Sequence, residues 1–414
     1  MKKLSLLFVL FMSIIILSAC DQNDVDVQGI TDDEVVVANC ASTSGGGETV
    51  GIPFNEAIKA YFKMVNDAGG INGRRIKFIH KDDQSDIAKA RACIEEMIDD
   101  EKVFAIVGHF GSGQVAATLK NLKESGIPVV YFASGLSSLY NENAKGEDRG
   151  IFPVQPILVT EGRLMVARAV EGDENVKKIG VIYTNDDAGT DMIEGIRNQV
   201  KKLGADYKLV ESQATVGATD YSAAVTKIMD GDVDAIILGT IQGTFTPLVK
   251  ELAKQGNTAP VFTSYNNADV TLIGQVKDDL IVNNQPKFDI YTNAWVDLSD
   301  VEALTLFATE IVEYTGDQAM AGNAFATAGW IAAHFFVEGL RNHPVDDEVT
   351  WQSYMDAMES KPIKNPFGGN IDYSGGKRLG TDTMSLNKIG KNAEGAWVWV
   401  LDRPMKSLSE ILGE

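Results

Sequence analysis

A regular alternation of short apolar runs with amphipathic segments, beginning near residue 34, constrains the fold most strongly. The first series opens with the apolar run EVVVANCA at Glu34–Ala41, and further runs follow at 75–81, 103–108 and 128–132. Helical patterns separate these runs, as at 85–100, where apolar residues recur every three or four positions. Strands that alternate with helices form parallel sheets wound by right-handed crossovers. The alternation therefore predicts an α/β fold.

The alternation then restarts after the proline-bearing stretch GIFPVQP at 150–156. A helix is expected from Thr160 to Glu171, and strand-like runs follow at 178–183, 207–212, 234–239 and 260–264. The last third differs, because a long helical pattern at 324–341 precedes a hairpin-like finish around GAWVWVL. Two such series predict two Rossmann-like lobes whose strand ends face each other across a cleft, which closes around a ligand by hinge motion.

The N-terminus begins with Met1-Lys2-Lys3 and an apolar stretch at 4–17, which as a helix is about 21 Å long against a hydrocarbon core of about 30 Å. This pattern is typical of a secretory signal, and an uncleaved anchor helix is the alternative. Leu17 to Cys20 resembles a bacterial lipobox. The resemblance implies that 1–20 is a lipoprotein signal peptide with its lipobox, that Cys20 is acylated, and that 21–32 is a flexible tether.

Composition excludes several classes of protein. The net charge is −21, so a nucleic-acid partner, which needs clustered Lys and Arg, is not expected. The four histidines are scattered, and no HExxH, CxxC or GxSxG motif is present, so we predict no metal, no cofactor and no catalytic residue. Asp82 and Asp83 are interpreted as a turn. Cys40 and Cys93 form either a disulfide or two separate buried thiols.

Candidate ligand contacts follow the strands of the first lobe. Gly111-Ser112-Gly113 comes after the third strand and opens a helix, whose free N–H groups attract an anion. Ser112 either contacts the ligand or only caps this helix. The fourth strand is followed by Ala133, Ser134 and Gly135. The match of 111–116 to the nucleotide fingerprint G-x-G-x-x-A is weak, because it follows the third strand and the next strand brings no acid.

The strands of the second lobe end in the polar loops YTNDDAGTD, GTIQGTF and SYNNAD. These loops supply the candidate ligand contacts Asp186, Gln242 and Asn266. Each of the three is either a ligand contact or an ordinary turn or helix cap.

Three stretches carry a resemblance to a family: NDAGGINGRRIKFIHKDDQSDIAKARACIEEMI, KVFAIVGHFGSGQVAA and SGIPVVYFASG. They resemble the solute-binding proteins of bacterial ABC importers for branched-chain amino acids and amides, which have the type I periplasmic binding fold. The resemblance implies a hinge of three crossing strands, a first lobe of 33–154 plus 286–365, and a second lobe of 155–285 plus 366–414. It also implies that Ser112, Ala133 and Gly135, with Ser134 as a substitute for Gly135, hold a ligand carboxylate.

Departures from the family pattern affect the ligand. Asn266 stands where amino acid binders carry an acid for the ligand ammonium, and Ala188 stands where a tyrosine is usual. A buried ammonium without a carboxylate partner is costly, so an aliphatic amino acid is not expected unless Asp186, Asp187 or Asp269 supplies the charge. Carboxylate, amide, urea-like and aromatic acid ligands are alternatives, with apolar walls from Phe110, Tyr131, Tyr265 and Phe325.

The resemblance therefore implies a monomeric lipoprotein that captures a small organic solute (amino acid-like, amide or carboxylate) and delivers it to an importer permease. Its expected location is the periplasm, anchored to the inner membrane as Asp21 favours, or the outer face of the membrane in a single-membrane bacterium. A ligand-sensing receptor domain is the main alternative, and an NAD-type oxidoreductase or a hydrolase is the enzymatic one.

Overall fold

The computed structural model describes residues 28–171, 173 and 175–414, without the side chain of Gln242. The predicted signal peptide, the acylation site Cys20 and the tether up to residue 27 lie outside the described residues. Within the described ranges, none of the helices combines the length and the apolar character that a membrane span requires.

A parallel sheet of five strands, in the order β2-β1-β3-β4-β5, forms the first lobe. Its strands and intervening helices are, in chain order, β1 Glu34–Ala41, α1 Glu48–Asp67, β2 Arg75–Asp82, α2 Ile87–Asp99, β3 Ala105–Phe110, α3 Ser112–Ser125, β4 Val129–Ala133 and β5 Ile151–Phe152. Strands β1, β3 and β4 are mostly apolar and buried, as expected for a parallel sheet covered by helices on both faces, whereas the edge strand β2 (RIKFIHKD) is largely polar. The predicted α/β alternation of this lobe is confirmed.

A second sheet of seven strands, in the order β16-β15-β12-β9-β8-β6-β7, forms the second lobe. Its elements are α4 Leu158–Val170, β6 Lys178–Thr184, α5 Asp187–Leu203, β7 Lys208–Ala214, α6 Ser222–Met229, β8 Ala235–Gly239, α7 Phe245–Lys254, β9 Val261–Thr263, α8 Val270–Leu280, β10 Ile281–Val282, β11 Gln285–Pro286 and β12 Ile290–Ala294. Strands β15 Thr383–Lys391 and β16 Trp397–Ser407 add the predicted hairpin, which pairs antiparallel with β12, and α12 Leu408–Leu412 follows.

Between β12 and the hairpin the chain returns to the first lobe. This segment contains α9 Val301–Thr315, α10 Ala324–Asn342, α11 Trp351–Ser360, β13 Ile363–Lys364 and β14 Asn370–Ile371. Helices α9 and α10 pack against α1, and Tyr373 donates a hydrogen bond to the backbone oxygen of Pro153 (2.9 Å).

The lobe boundaries differ from the predicted ones at two crossings. The sequence placed 286–365 in the first lobe, yet β12 pairs with β9 of the second sheet through Ile290–Val261 and its neighbours. The chain therefore crosses after Ala294. It crosses back near Thr381, whose N–H donates to Val154 on the first crossing strand (2.9 Å), rather than at residue 366. The short run IYTNA of β12 lacks a periodicity that distinguishes it from a loop.

A disulfide joins Cys40 at the end of β1 to Cys93 in α2, with the Cα atoms 6.2 Å apart. The alternative of two separate thiols is thus wrong. The bond ties α2 to the carboxyl end of β1, which lies between β2 and β3 in the first sheet.

Candidate functional site

The strand ends of the first lobe bring the predicted serines together. Gly111, with φ of 87°, precedes α3, and its N–H donates to the backbone oxygen of Ala133 (3.4 Å). The Ser112 and Ser134 hydroxyl oxygens are 3.1 Å apart. Gly111, Ser112, Ala133 and Ser134 therefore form one cluster from two adjacent loops, as the sequence predicts. That this cluster holds a ligand remains a prediction.

Gly135 lies where the two lobes make contact. A Cβ atom at this position would stand 2.5 Å from the backbone oxygen of Pro156 and 2.6 Å from the Tyr265 hydroxyl. Its backbone oxygen accepts the N–H of Leu158 (2.8 Å). The glycine is required for this close approach, so its surroundings here are protein atoms of the other lobe.

Asp186, a predicted ligand contact of the second lobe, caps the N-terminus of α5. Its Oδ1 accepts hydrogen bonds from the N–H of Gly189 (2.9 Å) and from the hydroxyl of Thr184 (2.6 Å). Asp187 is exposed. Gln242 begins a 3₁₀ turn, Gln242–Thr244, and its side chain is outside the described part of the structure. The helix-cap alternative for Asp186 is confirmed.

A cavity of about 370 Å³ opens where the lobes meet beside the crossing strands. We call it the hinge cavity. Its lining comes from a crossing strand, from the second lobe and from the segment that returns to the first lobe: Gln155, Tyr265, Asn266, Ala268, Asp269, Val270, Ala294, Trp295, Val296, Leu298, Leu304, Phe307, Ala321, Gly322, Ala324, Phe325, Thr327, Ala328, Asn387, Val398 and Trp399.

Asn266 is the predicted ligand residue that lines the hinge cavity, and Tyr265 and Phe325 are the predicted walls that do so. The cluster around Ser112 and Ser134 does not line it. Tyr131, another predicted wall, is fully buried in the first lobe, where its hydroxyl accepts the side-chain N–H of Gln155 (2.8 Å). Phe110, the fourth predicted apolar wall, packs near Phe54, with ring centroids 5.7 Å apart. It does not line the hinge cavity.

Two cavity residues carry polar atoms without hydrogen-bond partners among the described residues. Both side-chain amide atoms of Asn387, on β15, lack a partner, and the residue is 1% exposed. The Oδ2 atom of Asp269 also lacks one, and Asp269 is 2% exposed. Buried polar groups in folded proteins are almost always paired, with protein atoms or with ordered water. Sequence reasoning raised Asp269 only as an alternative and missed Asn387.

Glu161 of α4 supports the cavity loop from beneath. It is fully buried, and its Oε1 accepts the N–H of Tyr265 (3.0 Å) and the side-chain N–H of Asn293 (3.3 Å). Burial raises the pKa of this carboxyl to about 8, although the two hydrogen bonds act in the opposite direction. A glutamate inside an amphipathic helix gives no sequence signal of this role.

The described residues contain no group of three or more His, Cys, Asp or Glu side chains placed to hold a metal ion. The histidines serve the fold: the Nε2 of His109, for example, is 2.7 Å from the Thr118 hydroxyl, and burial lowers the pKa of His109 to about 4. Asp82 accepts the N–H groups of Thr43 and Gln84, which confirms the predicted turn.

The chain matches the family model described as periplasmic binding protein over residues 34–394. An amino acid binding protein of Pseudomonas aeruginosa is 28% identical over 234 residues, which cover 55% of this chain and 59% of that protein. This match thus spans about three fifths of the relative's length. A Leu/Ile/Val-binding protein homolog 4 of Brucella melitensis is 22% identical over 84% of this chain and 81% of its own length.

Solved structures show the same fold. A fatty acid ABC transporter substrate-binding protein from Thermomonospora curvata superposes with a TM-score of 0.79 at 19% identity, covering 94% of this chain and 96% of that one. A branched chain amino acid ABC transporter from Thermus thermophilus, with bound valine, gives a TM-score of 0.77 at 18% identity, covering 92% and 99%.

Proposed function

Because the chain belongs to the periplasmic binding protein family, we propose that it captures a small organic solute between its two lobes and delivers it to the permease of an ABC importer. We propose further that it acts outside the cytoplasm as a monomer, held at the membrane by an acylated Cys20. The Cys40–Cys93 disulfide supports an oxidising location, because disulfides persist outside the cytosol.

The hinge cavity is the observation that carries this proposal. Gln155 on a crossing strand, Asn266 of the second lobe and Phe325 of α10 all line it. A solute bound there contacts both lobes at once, so it stabilises the closed arrangement by its higher affinity for that state. Its volume falls in the range of small-molecule sites, which are mostly apolar with a few placed polar groups.

Binding without chemical conversion accounts for these features. The relatives' descriptions are those of binding proteins, and the buried carboxyl of Glu161 contacts backbone and amide N–H groups rather than a nucleophile. The mechanism we propose is therefore closure and release.

A thermal-shift screen of the purified protein against amino acids, amides, amines, short carboxylates and aromatic acids tests the proposal. A true ligand at a hundred times its Kd stabilises the protein by about 2.7 kcal/mol. Ala328→Phe, which fills the hinge cavity, is expected to abolish the shift, whereas Ala88→Phe on the exposed face of α2 preserves it. Absence of any stabilising solute, or conversion of a bound one, contradicts the proposal.

A further inference from the structure

We propose that the hinge cavity selects uncharged solutes that carry an aromatic body and a neutral polar group, either a hydroxyl or an amide. This inference rests on the proposed function and specifies the solute class of that site. It sets aside zwitterions, carboxylates and amines. The aromatic wall of the cavity, the lack of an accessible charge on it and two neutral polar atoms of its lining residues support this class.

Aromatic side chains form a large part of the wall of the hinge cavity. They are Tyr265, Trp295, Phe307, Phe325 and Trp399. Two of these rings are held by rings outside the lining, because the centroid of Trp295 is 6.5 Å from that of Tyr131 and the centroid of Phe307 is 5.4 Å from that of Phe367. Aromatic pairs favour such separations, so the wall is preorganised to pack against another ring.

The described wall of the cavity presents no accessible charge to a solute. No Lys, Arg or His of the described residues lines it, and Asp269 is its acidic residue. The Oδ1 atom of Asp269 accepts hydrogen bonds from the N–H (2.7 Å) and the hydroxyl of Thr271, and its Oδ2 atom is sealed from solvent. A charged solute group would lose its water here without an opposite charge to pair with, which is costly.

Two lining residues retain a neutral polar atom that is neither paired nor sealed. The Nε2 of Gln155 donates to the Tyr131 hydroxyl (2.8 Å), whereas its Oε1 accepts no hydrogen bond from the described residues and is not among their sealed, unpartnered atoms. The same holds for the indole N–H of Trp295 as a donor. Gln155 is 8% exposed and Trp295 7%. The small surface that these residues expose therefore includes one acceptor and one donor.

This combination of an acceptor and a donor fits a hydroxyl or an amide. Gln155 and Trp295 contact the same side chain, Tyr131, one by a hydrogen bond and the other ring to ring. A solute hydroxyl can donate to the Gln155 oxygen and accept the Trp295 N–H, and a primary amide can do the same. A carboxylate has no proton for Gln155, and an ammonium has no lone pair for Trp295. Each would leave one of the two atoms unpaired in the complex.

The test uses two matched series of probes with phenylpropyl and indolylethyl bodies, each as the alcohol, the primary amide, the carboxylate and the amine. Phenylalanine and tryptophan are the matched zwitterions. Isothermal titration calorimetry measures binding to the purified protein. At least one alcohol or amide is expected to bind, at least about tenfold more tightly than every charged member of its series. If no uncharged probe binds, or if a charged member comes within tenfold of it, the inference is wrong.

A conservative variant locates the donor. Trp295→Phe keeps a ring but removes the indole N–H, and it is expected to weaken binding of the best uncharged probe roughly 2- to 10-fold, the range for one neutral hydrogen bond. Trp397→Phe, which removes an indole N–H from β16 outside the cavity lining, is the matched control and should leave the affinity unchanged. Equal affinities for the two variants contradict the inference.

A modified probe tests the acceptor without any mutation. The methyl ether of the bound alcohol, or the N,N-dimethyl form of the bound amide, can still accept the Trp295 N–H but cannot donate to Gln155. It should bind the native protein roughly 2- to 10-fold more weakly than its parent. Undiminished binding contradicts the inference, and this result does not depend on whether Trp295→Phe folds.

The inference and the proposed function fail in different ways. If a charged solute from the wider screen proves to be the ligand, the solute-binding function stands and the uncharged class is wrong. If neither the probes nor the wider screen yields a ligand, the proposed function itself is wrong.

Discussion

The two lobes build their sides of the cleft by different physical means. The first lobe presents backbone groups and hydroxyls, such as Ser112 and Ser134, on loops that end apolar strands anchored by the Cys40–Cys93 disulfide. The second lobe presents side chains such as Asn266, on a loop held by buried polar contacts that include Glu161 and Tyr265. The first lobe's loops are therefore held by a disulfide and by apolar packing. The second lobe's loop is held by hydrogen bonds to Glu161, whose protonation state depends on pH.

This difference means that the two sides respond to different conditions. Reduction acts on the support of the first lobe, whereas pH acts on the support of the second, because Glu161 changes its charge within the physiological range. Contacts between the lobes affect a third property, the stability of the closed cleft. Perturbing each region separately therefore tests whether the cleft has these two kinds of support.

Loss of the disulfide is expected to have the largest effect. The bond closes a loop of 53 residues, for which the chain-entropy relation gives about 4 kcal/mol of stabilisation. Reduction of the native protein, or Cys93→Ala, should lower the free energy of unfolding by about this amount in urea denaturation. The Cys93→Ala variant also serves as the control, because it has no disulfide and reductant should not change its free energy of unfolding. A native protein that is insensitive to reductant would contradict the account of the first lobe.

Glu161→Gln is expected to have the next largest effect, and one that depends on pH. Burial raises the pKa of Glu161 from 4.5 to about 8, so the folded protein retains a proton that the unfolded chain releases. Stability should therefore fall as the pH rises from about 4.5 to about 8, and level off above that range. Glutamine keeps an acceptor for the Tyr265 N–H and cannot ionise, so the variant should lack this decline.

Denaturation at a series of pH values measures this effect. At pH 8 Glu161→Gln should exceed the native protein in stability by on the order of a few kcal/mol, and the difference should disappear near pH 4.5. Glu302→Gln, on the exposed face of α9, provides the matched control with the pH profile of the native protein. Parallel profiles for Glu161→Gln and the native protein would show that the carboxyl is not held neutral.

The fold was predictable from sequence because its signals are local. Apolar runs such as 34–41 and the helical spacing that follows them report the alternation directly, and the glycine–serine pair at 111–112 marks a strand end. Strand β12 was missed because its five residues, four of them buried in the interior of a sheet, carry no distinguishing period. The lobe boundary predicted there was displaced with it.

Much of the site was not predictable, because it depends on contacts between distant segments. The backbone of Tyr265 meets Glu161 from a position 104 residues earlier, and the indole of Trp399 meets the backbone of Asp269 across 130 residues. Asn387 lies in the strand run TMSLNKIGK, where its neighbours give no sign of a polar group left without a partner. Such pairings follow from the tertiary arrangement, which single-sequence periodicity does not encode.

The smallest expected effect concerns the contact between the lobes. The carboxylate of Asp191 in α5 accepts the N–H of Ser137 (2.7 Å) and its hydroxyl (3.0 Å) from the first lobe, and burial raises its pKa. Because these bonds join the lobes, Asp191→Ala should destabilise the closed state and weaken solute affinity by roughly 2- to 10-fold, the worth of about 0.5–1.5 kcal/mol. Ser138→Ala, beside this contact, is the matched control and should bind as the native protein does. Calorimetric titration with the solute found in the screen distinguishes them, and an unchanged or higher affinity for Asp191→Ala would mean that the contact does not depend on closure.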